Sequence, residues 1–290
     1  MLPDEPPSAR PYDPRGEARR QFAAAVALPE PEIDVARAAL WLAAEADPRA
    51  EVDRHLERLD ALGEAARAGV EAAADAAEAV AHLNHVLFER ERFRGNEHDY
   101  YDPRNSFLGD VLDRRRGIPI TLSIVYVEVA RRAGLEAHGV GFPGHFLAKV
   151  VDRDGGAIVV DAFHGRVLTR DACAERLRGA LGPQAVLADE HLAAASAHQT
   201  LRRMLTNLKQ IHLQRRQLDA ALACVDRILL LAPDDALELR DRGLLYQALE
   251  CFAPAIDDLE RFLALAPGDA SAPRVERVLA QLRERAPKLH

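Results

Sequence analysis

Apolar residues return with helical spacing through the first third of the chain. Ile33, Ala36, Leu40 and Ala44 fall on one stripe, with Trp41 beside it as a core residue. Leu56, Leu59 and Leu62 begin a second stripe that stops near Gly63, and Val80, Leu83, Val86 and Leu87 make a third. Pro29, Pro31 and Pro48 punctuate the pattern. The spacing predicts helices over about residues 17–93. Residues 1–16, rich in proline and charge, are expected to be disordered or loosely attached.

The pattern then changes character. Phe93 to Asn105 is a polar, aromatic loop. Asp102-Pro103 reads as an N-cap followed by a first-turn proline, predicting a helix through Leu108 and Leu112 that closes at Arg114 to Gly117. The next helix, Thr121 to Ala133, is apolar nearly all round, and such a helix is buried; Gly134 suits its C′ position. Three short strands follow over 137–142, 145–151 and 157–161, the last two joined by a hairpin signal at 152–156. A helix is expected over 170–181, ending near Gly182.

The last third repeats itself. Ala221 and Ala255 are 34 residues apart, as are Pro233 and Pro267, Leu205 and Leu239, His212 and Tyr246, and Leu222 and Ile256. A 34-residue period of paired helices resembles the tetratricopeptide repeat. Two matched units cover about 202–269, and Arg274 to Arg285 would form the end helix. Asp235 with Glu238 fits a capping-box variant at the second unit. Arg242 stands where the repeat calls for Leu.

Composition narrows the function classes. The 290 residues are enough for two domains, and 48% hydrophobic with 29% charged residues fits a soluble globular protein. A net charge of −8 argues against a general nucleic-acid binder. Lysine is rare and arginine abundant, a bias of bacterial style, so an arginine cluster reads first as a solvated or locally paired face. The run Arg114-Arg115-Arg116 is such a cluster; its second reading is a contact for an anionic partner. Cys173, Cys224 and Cys251 are too scattered for a disulfide framework or a zinc site, which suggests a reducing compartment. No apolar run approaches the ~20 residues of a membrane span. The N-terminus lacks the apolar centre of a signal peptide. A cytoplasmic protein with no membrane contact is expected.

A resemblance to a known family rests on four words of the sequence. They are Phe93-Arg-Gly-Asn96, Tyr100-Tyr-Asp-Pro-Arg-Asn-Ser106, Val111 through Thr121 with its Arg-Arg-Arg-Gly-Ile-Pro-Ile-Thr ending, and Gly139-Val-Gly-Phe-Pro-Gly-His-Phe146. Together with the helices near Ile33 to Leu62, they resemble the bacterial SirB-one-type family. That family has a transglutaminase-like core followed by tetratricopeptide repeats. The resemblance implies an α+β, mostly helical protein: an N-terminal helical region, a papain-like core with a small antiparallel sheet, and C-terminal helical hairpins. The expected division is a segment 1–16, a core domain 17–195 and a repeat domain 196–290. The family usually reads Asp-Pro-Phe-His-Gly-Gly where this chain has Asp161-Ala-Phe-His-Gly-Arg166, so a looser turn is expected there.

An active core of this type needs a Cys at a helix N-terminus, where the dipole and a His lower its pKa and an Asp orients the His. His145 and Asp161 match the His and Asp positions, as a retained base and orienter or as a structural pair. The nucleophile position falls near Pro119, between Ile118, Ile120 and Thr121, and none of these is a thiol. Thr121 or Ser123 as a hydroxyl nucleophile is a weaker reading than a cap or a buried helix hydroxyl. Tyr100, Asn105, Ser106, Thr121 and His164 are candidate cleft residues, Asn105 and Ser106 serving peptide backbone or, more simply, capping a helix. His145, Asp161 and His164 could join His98 or Asp99 around a metal, but no strong metal motif is present, and no metal or cofactor is expected. The preferred expectation is a pseudoenzyme that binds a protein or peptide. The alternative is a hydrolase or acyl-transfer enzyme using His145 and Asp161 with a non-Cys nucleophile, water or a metal.

Overall fold

A computed structural model describes residues 13–152 and 154–285. Most of segment 1–16 therefore lies outside the described residues. Its last positions do not extend the loose segment: Pro14–Val26 forms helix α1, because the Asp13 carboxylate accepts from Gly16 N and Pro14 occupies the first turn. Helices α2 (Val35–Ala46), α3 (Val52–Ala72) and α4 (Ala76–Asn84) follow, and α4 runs on through a wider turn at His85–Arg90. The apolar stripes of the sequence are their buried faces, with Ala36, Leu40, Leu59, Leu62, Val80 and Leu83 in one core.

The loop after Phe93 is more ordered than its polarity suggests. Arg94–Gly95 (β1) pairs in parallel with Arg116–Gly117 (β2). Asp102 does cap, accepting from Arg104 N, but the turn it starts is a 3-10 turn of Pro103–Asn105 only. The chain extends at Phe107 before α5 (Leu108–Arg114), so the single helix expected here is broken in two. Arg115 adopts φ +57 and ends α5 in the left-handed conformation usually left to Gly or Asn.

Helix α6 (Pro119–Arg132) is the centre of the molecule, buried without interruption from Pro119 to Ala130. Even Glu128 lies inside, where burial pushes its carboxyl up while Arg132 at 2.5 Å opposes the shift. An antiparallel sheet lies on α6, in the order β3 (Ala137–Val140), β4 (Leu147–Val151), β5 (Ala157–Asp161), β6 (Arg166–Leu168). The last strand was not apparent in the sequence. One sheet face joins the α6 core through Ala148, Val150 and Val160, and the other packs Val140, Leu147 and Val159 against Cys173 and Leu177 of α7 (Arg170–Leu181). The fold is α+β and mostly helical, as the resemblance implies.

Five helices follow among the described residues: α8 (Ala197–Gln214), α9 (Leu218–Leu231), α10 (Ala236–Ala248), α11 (Phe252–Leu265) and α12 (Ala272–Arg285). Ser196 and Gln199 cap α8 reciprocally. At α10 the Asp235 carboxylate caps alone. Glu238 turns away to a buried Lys209, whose Nζ lies 2.8 Å from both carboxylate oxygens, so the capping box is incomplete. Gly243 lets α10 approach α11, since a Cβ there would sit 2.7 Å from Leu259 Cγ. The core does not divide at residue 196. Leu201, Met204, Leu205 and Leu208 of α8 and Cys224 and Ile228 of α9 belong to the same cluster as α2 and α6. A second cluster begins only with the other face of α9 and runs to α12.

Arg242, the departure from the repeat pattern, has a structural use. Its guanidinium grips Asp258 at 2.6 and 2.8 Å and Asp226 at 3.1 Å, and those contacts raise its pKa against the opposing effect of burial. Arg242→Leu would match the pattern yet leave Asp258 buried without its partner. We expect it to cost about 2–3 kcal/mol, as for a partly buried pair with one member removed. Adding Asp258→Ala should recover much of the loss. Denaturant midpoints for the double-mutant cycle check this.

Candidate functional site

The site forms where two turns meet at one end of the sheet. The first is Gly-Phe-Pro-Gly-His, in which His145 N donates to Phe142 O at 3.0 Å. Gly144 has φ +69, and a Cβ there would lie 3.2 Å from Ala180 of α7, so the turn presses on that helix. The second turn follows β5. Asp161 Oδ1 accepts from the backbone N–H groups of Phe163 and His164 at 3.2 and 3.3 Å, and Gly165 (φ +66) completes the reversal. Those two bonds tie the turn at the point where the family's proline is replaced by Ala162.

Asp161 is the hub. It is fully buried and accepts from His145 Nε2 at 3.0 Å, His164 Nδ1 at 2.7 Å and Arg176 Nη2 at 2.6 Å. Burial alone would raise its pKa, but the hydrogen bond and charge of His145, then His164 and Arg176, hold the carboxyl well below the usual range. An ionised Asp161 accepts from Nε2, and Nδ1 has no hydrogen-bond partner among the described residues. The His145 ring is nearly buried, stands edge-on to Phe163 at 6.3 Å and stacks beside His164 at 6.2 Å.

The loop 93–105 borders this cluster. Gly95 N donates to Phe163 O at 3.0 Å, and a Cβ on Gly95 would fall 2.5 Å from the Phe163 ring. Tyr100 packs its edge on Phe163 at 6.1 Å, and Glu97 comes to 3.9 Å from His164 Nε2. Of the sequence candidates, Tyr100 and His164 lie at the surface here. Asn105, Ser106 and Thr121 do not. They are fully buried beneath the loop. Asn105 Nδ2 donates to Asp99 O at 2.7 Å, and its Oδ1 accepts from Asn96 at 3.0 Å. These side chains hold the loop in shape rather than line an open groove. Ser106 Oγ has no hydrogen-bond partner among the described residues.

Neither Thr121 nor Ser123 on α6 addresses His145. Thr121 Oγ1 donates to Asn105 O at 2.7 Å and accepts from Ile118 N at 3.2 Å, while Ser123 Oγ donates to Phe146 O at 3.2 Å. The thiols lie elsewhere. Cys173 is buried in the cluster under α7 and its pKa is raised by that burial. Cys224 is pushed up to about 12 by burial, and Cys251 precedes α11. Cys173 and Cys224 are buried thiols and poor nucleophiles, while Cys251 is exposed among the repeat helices.

His145, Asp161 and His164 are also the one group among the described residues that could hold a metal, with donor atoms within 4.8 Å of one another. Neither His98 nor Asp99 joins them. Arg176 already occupies Asp161 Oδ2 and supplies the positive charge a cation would bring, so the donor set fits a hydrogen-bonded hub better than an ion. Arg176 and Glu97 were missed in the sequence reading. In an arginine-rich chain nothing local marks one arginine on a later helix as the partner of a strand-end Asp.

Among the described residues no helix is long and apolar enough to cross a membrane. The family model for the transglutaminase-like superfamily matches residues 53–206, and a tetratricopeptide-repeat model matches residues 208–283. The chain is 41% identical over 208 residues to a UPF0162 protein of Xylella fastidiosa, covering 70% of this chain and 73% of that protein. It is 31% identical over 241 residues to a UPF0162 protein of Vibrio cholerae, covering 83% and 89%. It is also 31% identical over 176 residues to protein SirB1 of Salmonella typhimurium, covering 61% and 64%. With the His–Asp pair at the sheet end, the buried helix beneath it and the paired helices behind, these matches agree on one assignment: the chain belongs to the SirB1/UPF0162 family of transglutaminase-like proteins with C-terminal tetratricopeptide repeats.

Proposed function

We propose that this protein is a non-catalytic member of its superfamily and acts by binding a protein or peptide beside the retired site. The observation that carries the reading is the head of α6. Ile118, Pro119 and Ile120 form the helix head to which the resemblance assigns the thiol, none of them is a Cys, and Thr121 is bound to the loop. A base and its orienter without a nucleophile perform no acyl transfer. Tetratricopeptide repeats commonly mediate protein contacts, and here the first repeat helix borders the site. Arg215 of the α8 end donates to Tyr101 O at 3.1 Å, and Tyr100 and Tyr101 stand exposed beside it. Exposed tyrosines flanked by arginine are the side chains that interfaces favour.

A second reading has one observation in its favour: His145 Nδ1 has no hydrogen-bond partner among the described residues, so it could take a proton from water. One set of proteins separates the two readings. Affinity capture from native lysate with the full chain, His145→Ala and Tyr101→Asp is combined with an ester-hydrolysis assay on the same samples. We expect a partner retained by the first two and lost with Tyr101→Asp, and no hydrolysis by any. Hydrolysis abolished by His145→Ala, with its melting curve intact, would replace the binding reading with the hydrolytic one.

A further inference from the structure

The arginine run before α6 divides once its partners are known. Arg115 pairs with Glu91 at 3.3 Å, and Arg114 shares Asp102 with Arg104, at 3.2 and 2.8 Å. Asp102 is overdrawn, and Arg114 Nη1 is buried with no partner among the described residues. Arg116 has no carboxylate or side-chain hydrogen bond among the described residues, and neither has Arg94, its direct neighbour in the β1–β2 register. Parallel neighbours start about 4.8 Å apart. Gly95 faces Phe163 and Gly117 faces Thr121 and Leu122, so the alternation along each strand sends Arg94 and Arg116 together to the opposite side. Arg116 is held below its usual pKa, first by partial burial and then by the charges of Arg94 and Arg114. This local excess of positive charge stands in a chain of net charge −8.

We propose that Arg94 and Arg116, with Arg114 behind them, bind a phosphate monoester, borne by a small molecule or by a phosphorylated side chain of a bound protein. Two neighbouring guanidinium groups offer more N–H donors than one carboxylate can accept, while a dianionic phosphate has three oxygens to share between them. The site lies on the side of the ladder away from His145 and does not depend on the function proposed above.

Calorimetric titration of the full chain at fixed ionic strength tests it, with inorganic phosphate, acetate and the peptide acetyl-Ala-phosphoSer-Ala-amide as probes. Phosphate should bind at least tenfold more tightly than acetate. Arg94→Gln with Arg116→Gln should weaken it at least tenfold, and Arg178→Gln, on the exposed face of α7, should leave it unchanged. The double variant should melt no lower than the parent without phosphate, because like charges have been removed. The peptide binding tenfold above phosphate assigns the site to a phosphorylated partner, and equal binding assigns it to a small phosphoester. Equal phosphate affinity in parent and double variant, or no preference for phosphate over acetate, would overturn the proposal.

Discussion

A fragment ending at residue 195 should fail to fold. That cut falls at the expected domain boundary, immediately before α8, and the sequence offers no objection to it. The packing does. It removes Leu201, Met204, Leu205, Leu208, Cys224 and Ile228 from the cluster that holds α2 and α6. Truncating one buried Leu, Ile or Met to Ala costs about 2–5 kcal/mol, and several together exceed the roughly 5–15 kcal/mol that keeps a domain folded. Polar ties go with them, including the ion pair of Arg227 with Glu45 and the contact of His198 with Glu30. The expected fragment keeps helical circular dichroism, binds hydrophobic dye and shows no cooperative melt, while the full chain melts in one sharp step. A cooperative melt from the fragment would mean that α8 and α9 are docked on a self-sufficient core. Binding experiments that use this truncation to remove the repeats would then be sound; on the packing observed, they would compare a folded protein with an unfolded one.

The same example shows how far the sequence could be read. Most helices announced themselves by an apolar face, because periodicity is a local property, but the cap signals misled at both ends: Asp13-Pro14 starts α1 inside the segment expected to be loose, and Asp102-Pro103 starts only a 3-10 turn. The repeat was equally plain, since Ala221 with Ala255 and Pro233 with Pro267 keep one spacing. What the pattern could not carry was partnership between distant segments. Leu201 and Leu205 read as a repeat helix face; that this face meets α2 and α6 is a fact of three dimensions. The two-residue ladder of β1 and β2 is too short for any period to show. His145 and Asp161 were found by their family words, but their immediate partner Arg176 sits on a helix with nothing to distinguish it. Asn105 and Thr121 were read as cleft residues because polar side chains in a motif suggest a ligand. Buried polar groups also hold loops, and only their burial and the carbonyls they meet decide which.

Asp161→Ala should be the most damaging single substitution at the site. The carboxylate is fully buried and gathers His145, His164, Arg176 and two backbone N–H groups. Removing it leaves a half-buried guanidinium and a nearly buried imidazole with no acceptor. Breaking a buried charged pair from one side costs about 3–5 kcal/mol. Asp161→Asn keeps the shape and one acceptor oxygen, so its loss should be smaller, about 1.5–3 kcal/mol for the charge-assisted bonds it weakens. Acid titration separates electrostatics from shape. The folded-state pKa of Asp161 lies below its unfolded value, so between the two the unfolded chain binds more protons. The stability Asp161 contributes is therefore complete above the ordinary aspartate range and is lost as pH falls toward the lowered folded value. Denaturant midpoints followed from neutral pH downward should fall more steeply for the parent than for Asp161→Asn, and the two should converge at the acid end. Parallel curves would mean that Asp161 holds its neighbours by shape alone. The site would then be a packed remnant, not a charged hub kept ready to orient His145.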